Sequence, residues 1–309
     1  VILDRSSYRG IYVIVVTPFT DALDIDEAGL RATVRFCLAA GVDGLVSPAN
    51  ASEVGYLSDV ERRRVAAVVV EEAAGRVPVI VGVSAAHARL SAAFAADAEA
   101  IGADGVMAMP PTFHPATADE IRGFYREVGA ASSLPLVLQN AVGLGATVMS
   151  PALMAEILAA VPTARFVKEE TAYPAQTAGA LVVAAGADLW GVMGGQAGKT
   201  LLEELPHGVC GTMPACEYAD LHVALWQAIA AGDGSRTRRV FRHLLPLLVF
   251  EGAYGIPVCK EVLKARGVIA SAAWRQTGYR PLDPLARAEL RTLLDDAAEF
   301  MTPGLAPLR

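Results

Sequence analysis

Val77-Pro78-Val79-Ile80-Val81-Gly82-Val83, then the Ala-rich stretch Ala88 to Ile101, then Gly105-Val106-Met107-Ala108-Met109 read as strand, helix, strand. The two apolar runs are short and β-rich, whereas the segment between them carries its apolar residues at helical spacing. Two strands joined through a helix run parallel, because the crossover returns the chain to the same end of the sheet. The unit recurs. Further candidate strands are Ile11 to Val16, Gly44 to Ser47, Leu134 to Gln139, Arg165 to Lys168, Leu189 to Met193 and Val209 to Met213. Helix-like stretches fall between them at Asp26 to Ala40, Asp59 to Ala74, Ala118 to Ala130, Ser150 to Ala160, Pro174 to Ala185 and Gly198 to Leu205. Eight strand-helix repeats with no polar linker predict an α/β fold, a (β/α)8 TIM barrel rather than a doubly wound sheet.

From Glu217 onward the strand pattern stops, and Tyr218 to Ala231, Ser235 to Phe250, Val258 to Arg266 and Pro284 to Met301 all read as helices. Residues 1–216 are therefore expected to form the barrel, and residues 217–309 a helical extension packed on it. Asp24, Ser58, Thr117 and Ser150 precede helical patterns as N-caps, and Pro151 takes the favoured first helical position after Ser150.

Composition narrows the class. The chain has 309 residues, 53% of them hydrophobic and only 19% charged, which predicts a large buried core and no extended disorder. A formal net charge of −7 argues against nucleic acid or an anionic membrane as the main partner. There is no apolar run of spanning length and no basic flank with a long apolar stretch at the start, so a cytoplasmic protein is expected. The four cysteines, Cys37, Cys210, Cys216 and Cys259, show no C-x-x-C spacing and read as buried thiols.

Lysine is scarce, occurring only at Lys168, Lys199, Lys260 and Lys264, and only Lys168 ends an apolar strand-like run, Ala164-Arg165-Phe166-Val167-Lys168. Burial disfavours the charged form of an amine, and a neutral amine is a nucleophile able to attack a ketone. The alternative is a strand-end lysine paired with Glu169 or Glu170 and reaching solvent. Glu169 and Glu170 point to opposite faces of a strand, so only one of them can share a side with Lys168. Active-site groups of such a barrel gather at the C-terminal ends of the strands and in the loops beyond them. That rule selects Thr17, Pro48 to Glu53, Ser84, Pro110 to His114, Gln139 and Asn140, Lys168 to Thr171, Gly194 to Gln196, and Met213 with Pro214. Within this set, Asn50-Ala51-Ser52 can present N–H groups and a hydroxyl to a carboxylate, or be an ordinary turn in which Ser52 caps the next helix. Gly194-Gly195-Gln196 lacks the pattern of a nucleotide-phosphate loop and reads as a place where backbone approaches a small ligand. His114, in the Pro-rich segment Pro110 to Pro115, is either an acid or base or a surface residue.

These pieces resemble the dihydrodipicolinate synthase and N-acetylneuraminate lyase superfamily of class I, Schiff-base lyases, over nearly the whole chain. The resemblance rests on Thr17-Pro18-Phe19, Gly41-Val42-Asp43-Gly44, Glu53 with Leu57-Ser58 and Glu61-Arg62, Gly75 to Ile80, Gly102-Ala103-Asp104-Gly105, Leu134-Pro135 and Phe166-Val167-Lys168. It implies a barrel with a helical C-terminal extension, a homotetramer built as a dimer of dimers, and Lys168 as the Schiff-base residue. Several family features are replaced. The hydroxyl-rich G-[ST]-T-G-E loop is Ala49-Asn50-Ala51-Ser52-Glu53, the tyrosine of Y-N-x-P is Gln139, the P-Y-Y pair is Pro110-Pro111-Thr112, and the synthase arginine is Leu144. An amide cannot titrate as a phenol does, so another group or water must move protons.

The chain is similar in these respects to the 2-keto-3-deoxy-L-arabonate dehydratase branch, which shares A-N-x-S-E, M-A-M-P-P, the glutamine and K-x-E-T, here Lys168-Glu169-Glu170-Thr171. The similarity implies an enzyme that dehydrates a 2-keto-3-deoxy sugar acid. Lys168, Gln139 and Glu170 are its expected catalytic residues. Asn50, Ala51, Ser52, Thr17, Pro110, Gly194, Gly195 and Met213 are expected to bind the substrate, with no metal and no cofactor. A pyruvate-dependent aldolase acting through the same lysine, and a non-catalytic keto-acid binder, are the competing readings.

Overall fold

The structure is a computed structural model that describes residues 3–111, 114–142 and 147–302. Eight parallel strands close into a barrel in chain order. They are β1 (Gly10–Ile14), β2 (Gly44–Val46), β3 (Val79–Gly82), β4 (Gly105–Ala108), β5 (Leu136–Ala141), β6 (Ala164–Glu170), β7 (Gly191–Gly194) and β8 (Val209–Thr212). Helices α1 (Glu27–Ala40), α2 (Asp59–Ala73), α3 (Ala88–Ala100), α4 (Ala118–Ala130), α5 (Pro151–Ala160), α6 (Pro174–Ala185), α7 (Leu201–Glu204) and α8 (Ala219–Ala230) come after their strands in turn. The chain then adds α9 (Gly234–Tyr254), α10 (Ile256–Ala265) and α11 (Pro284–Ala297). The expected TIM barrel is what forms. No described helix is long and apolar enough to cross a membrane.

The chain divides into two compact units. The first contains Val1–Tyr12 and Pro78–Met213. Its strands carry apolar residues on both faces and are almost entirely buried, and each fully buried Val, Leu or Phe contributes roughly 1.5–3 kcal/mol. The register is fixed by close approach: Gly10 lies opposite Gly211, where a Cβ would run into the Gly10 backbone. Tyr8 is buried against Phe166, ring centroids 4.3 Å apart, and its hydroxyl donates to the Val167 carbonyl at 3.0 Å.

The second unit contains Val13–Val77 and Pro214–Arg309. Fully buried ion pairs hold it internally. Lys260 Nζ meets Glu53 at 2.5 Å and lies 4.1 Å from the Phe19 ring centre; Arg266 meets Asp220 at 2.5 Å and lies 4.6 Å from Phe36. Arg275 bonds both oxygens of Glu61, at 2.7 and 3.0 Å, and this contact pulls the Glu61 carboxyl down to about 2 from its ordinary 4.5. A depressed carboxyl stabilises the fold above its unfolded value and loses that contribution as pH falls. Between pH 4.5 and 2, therefore, the unfolding midpoint of Glu61→Gln should fall less steeply than that of the parent. Equal slopes in thermal melts across that window would rule the linkage out.

Cap chemistry agrees with the sequence at Ser58, Thr117 and Ser150, each accepting a first-turn N–H, with Pro151 at the helix start. At α1 the cap is Asp26, not Asp24: Asp26 accepts from Gly29 N at 2.9 Å, while the Asp24 backbone is bonded to Thr20. The helix expected over Gly198 to Leu205 is shorter. Ala197 and Gly198 hold φ of 59° and 78° in front of it, and Pro206 lies in the tighter turn that ends it.

Candidate active site

In the first unit the parallel register sets Gln139 opposite Lys168, Asn140 opposite Glu169, and Glu169 opposite Gly194. Side chains alternate along a strand, so Lys168 and Glu170 share one face and Glu169 takes the other. The Lys168 side chain is 2% exposed, and Nζ lies 3.1 Å from Glu170 Oε1. Gln139 Nε2 donates to the same oxygen at 2.5 Å. One carboxylate oxygen thus collects the amine and the amide, while Glu170 Oε2 accepts the Gln196 N–H at 3.4 Å. The reading of Lys168 as a solvent-reaching strand end is corrected here: its partner is Glu170, as that reading held, but the amine is buried.

Behind this face Glu169 accepts from Asn140 Nδ2 at 2.8 Å, from Thr171 N at 2.8 Å and from the Thr171 hydroxyl. Asn140 is itself tied to both backbone groups of Met149. Burial raises the Glu169 carboxyl despite these bonds. Glu204 escapes selection from the sequence because it lies inside a helix, away from any strand end. It is buried with its carboxyl raised by burial, bonded to the Thr200 hydroxyl, and its Oε2 has no partner.

Gly194 and Gly195 matter through the absence of a side chain. A Cβ at Gly194 would overlap the Glu204 carboxylate, and one at Gly195 would overlap both the Cβ and the carboxylate of Glu170. Gly195 has φ −121°, outside the left-handed region, and the three nearest atoms a Cβ there would meet all belong to Glu170. Gly195→Ala is expected to keep the fold by circular dichroism and to lose about 10²-fold or more in turnover, the usual cost of an ångström of misplacement. Turnover within about threefold of the parent, a small fraction of that cost, would show that the position of Glu170 does not matter.

Met213 is buried, with its N–H on the Gly194 carbonyl at 3.0 Å. Pro110 is buried at the end of β4, where Ser84 Oγ accepts the N–H of Met109. His114 is exposed, its Nδ1 3.0 Å from the Pro115 carbonyl. Thr112 and Leu144, at which the family's aromatic pair and arginine are replaced, lie outside the described residues, as do Phe113 and Gly143.

In the second unit Asn50, Ala51 and Ser52 form one 3-10 turn. Ser52 does not cap the next helix, which Ser58 does. Its hydroxyl donates to Val15 O at 2.5 Å and accepts from Ala49 N, and the Thr17 hydroxyl donates to Ser52 O at 2.8 Å. Both hydroxyl protons are committed to backbone. Asn50 and Ala51 are partly exposed. Glu53, at φ 55°, turns its carboxylate to Lys260 and to the N–H groups of Arg275 and Gln276.

The chain is thus a closed parallel barrel whose sixth strand carries a buried amine–carboxylate pair, Lys168 with Glu170. The model of the dihydrodipicolinate synthetase family matches residues 7–298. The L-2-keto-3-deoxyarabonate dehydratase of Azospirillum brasilense is 33% identical over 288 residues, covering 92% of each chain. The 4-hydroxy-tetrahydrodipicolinate synthase of Thermomicrobium roseum is also 33% identical, over 97% of this chain and 96% of its own. Among solved structures, the dihydrodipicolinate synthase of Rhodopseudomonas palustris superposes with a TM-score of 0.86 at 27% identity, covering 96% of this chain and 99% of that one. The chain belongs to the dihydrodipicolinate synthetase family. It is a class I, Schiff-base lyase.

Proposed function

We propose that the chain dehydrates a 2-keto-3-deoxy sugar acid such as 2-keto-3-deoxy-L-arabonate. The observation that carries this reading is the convergence of Lys168 and Gln139 on a single oxygen of Glu170. The similarity to the Azospirillum dehydratase supports it.

Lys168 attacks the C2 ketone, and loss of water leaves an imine to the substrate. The imine withdraws electrons from C3, so a C3 proton becomes removable. Glu170, already in contact with the lysine, is the base that takes it, giving an enamine. The enamine then expels the C4 hydroxyl, which leaves as water with a proton returned through Glu170; a second water hydrolyses the unsaturated imine to free Lys168, and the C3–C5 hydroxy-alkene tautomerises to the aldehyde of a dioxo acid. Gln139 does not titrate; its amide fixes the Glu170 oxygen and orients substrate or water. Pro110, Gly194, Gly195 and Met213 supply the wall around the reacting carbons. Within the second unit the Ser52 and Thr17 hydroxyls are already donated to backbone, so any carboxylate held by the Asn50-Ala51-Ser52 turn would meet the Asn50 amide and backbone N–H groups instead. Residues 1–216 carry the catalysis, residues 217–309 form the helical extension, and the assembly is a homotetramer.

The competing aldolase reaction shares the imine and differs in which proton leaves: loss of the C4 hydroxyl proton cleaves C3–C4. Borohydride reduction in the presence of pyruvate, or of 2-keto-3-deoxy-L-arabonate, followed by peptide mass spectrometry, should place an adduct on Lys168. Chromatography of unreduced 2-keto-3-deoxy-L-arabonate reactions should show a dioxo acid and no pyruvate. Release of pyruvate would make the protein an aldolase, and tight binding with no turnover would make it a keto-acid binder. No adduct on any lysine would end the Schiff-base assignment of Lys168.

A further inference from the structure

Outside the Lys168 site, the second unit gathers three potential metal ligands from separate segments. Glu217 lies between β8 and α8, Glu251 in the last turn of α9, and Cys259 in the first turns of α10. A corner at Gly255 joins α9 to α10 and brings Glu251 and Cys259 back toward each other. One ligand atom from each of the three residues lies within 4.8 Å of the other two.

The charge balance at this spot is incomplete. Glu217 is 0% exposed, its only hydrogen-bonding neighbours are Glu251 and Cys259, and no cation among the described residues bonds either carboxylate oxygen. The buried cations nearby in sequence are committed elsewhere, Lys260 to Glu53 and Arg266 to Asp220, and Arg266 bonds the Glu217 backbone carbonyl rather than its carboxylate. Tyr218, fully buried beside the same three groups, also has a hydroxyl without a partner. A buried carboxylate without a counter-charge is strongly disfavoured. A divalent cation supplies the missing charge, and one thiolate with two carboxylates is a donor set that suits Zn2+.

We propose that Glu217, Glu251 and Cys259 bind a divalent, thiolate-accepting cation such as Zn2+, fastening α8, α9 and α10 together. With zinc–ligand bonds of about 2.0–2.3 Å, the three atoms need to close by only roughly 1–2 Å. Water or a fourth side chain completes the tetrahedron. Sequence spacing hides the site, because its ligands come from three segments and Cys259 by itself reads as a plain buried thiol. The site is independent of the reaction proposed for Lys168.

The test uses the full chain, stripped with a chelator and titrated with Co2+ and then Zn2+. The expected result is one Co2+ per chain with thiolate-to-cobalt charge-transfer absorption, displaced by one equivalent of Zn2+. Cys259→Ser should lose the absorption, and Glu217→Gln should weaken binding at least about tenfold. No charge-transfer absorption at one equivalent, or absorption that survives Cys259→Ser, overturns the proposal. Zinc-edge X-ray absorption on the unmutated protein gives an answer without relying on variant folding: one sulfur in the inner shell supports the site, and a shell of oxygen and nitrogen alone overturns it.

Discussion

Lys168→Met should form no borohydride-stable adduct with pyruvate and should lose turnover by a factor on the order of 10⁴ or more, as happens when a covalent nucleophile is removed. The size of the effect comes from position. Lys168 is buried on the sixth strand against Glu170, and no other cation bonds the carboxylate in the described residues. Methionine keeps the length and apolar stem of lysine, so loss of packing is not what the substitution measures. Lys199→Met and Lys264→Met serve as controls and should keep both adduct and turnover. An adduct surviving in Lys168→Met would move the chemistry to another lysine and leave the Lys168–Glu170 pair as structure. The measurement needs only mass spectrometry and a product assay.

Stability should respond most to Lys260. Its ammonium meets Glu53 at 2.5 Å, donates to the Ala273 carbonyl at 2.8 Å, and sits over the Phe19 ring, all with no exposure to solvent. Lys260→Met leaves Glu53 buried with backbone N–H groups of Arg275 and Gln276 as its remaining partners. Breaking a buried pair in this way costs about 3–5 kcal/mol, a large fraction of a domain's stability. Urea unfolding should show the loss as a lower midpoint at unchanged slope. Adding Glu53→Gln to Lys260→Met should recover part of it, because the stranded charge is then gone. A loss below about 1 kcal/mol in the single variant, the range of a solvated pair, would mean that water reaches Glu53 and replaces the amine.

The barrel was legible because its strands are unbroken apolar runs and its helices repeat at their own period. Leu136 to Ala141 and Ala164 to Glu170 stand within a few residues of where their apolar patterns put them. Errors collected where local chemistry has near-equal choices. Asp24 and Asp26 both precede α1, and only the chain geometry that ties Thr20 to Asp24 leaves Asp26 free to cap. At the site, Lys168, Glu170 and Gln139 were legible because they end strands and alternate predictably. The state of the Ser52 hydroxyl was not, since its acceptor is the carbonyl of Val15, 37 residues earlier and just past β1. Glu204 and the Lys260–Glu53 pair were equally hidden: both depend on contacts between residues distant in sequence, which no periodicity announces.

The shared oxygen of Glu170 bears on how this branch can diversify. Gln139 and Lys168 hold the same atom, so replacing the amide with a phenol removes one tether and crowds the other. A lineage passing from a glutamine-bearing to a tyrosine-bearing enzyme must alter position 170 in company with position 139. Gly195 narrows the route further, because any side chain there would meet Glu170. A library that probes this coupling should therefore randomise 139, 170 and 195 together.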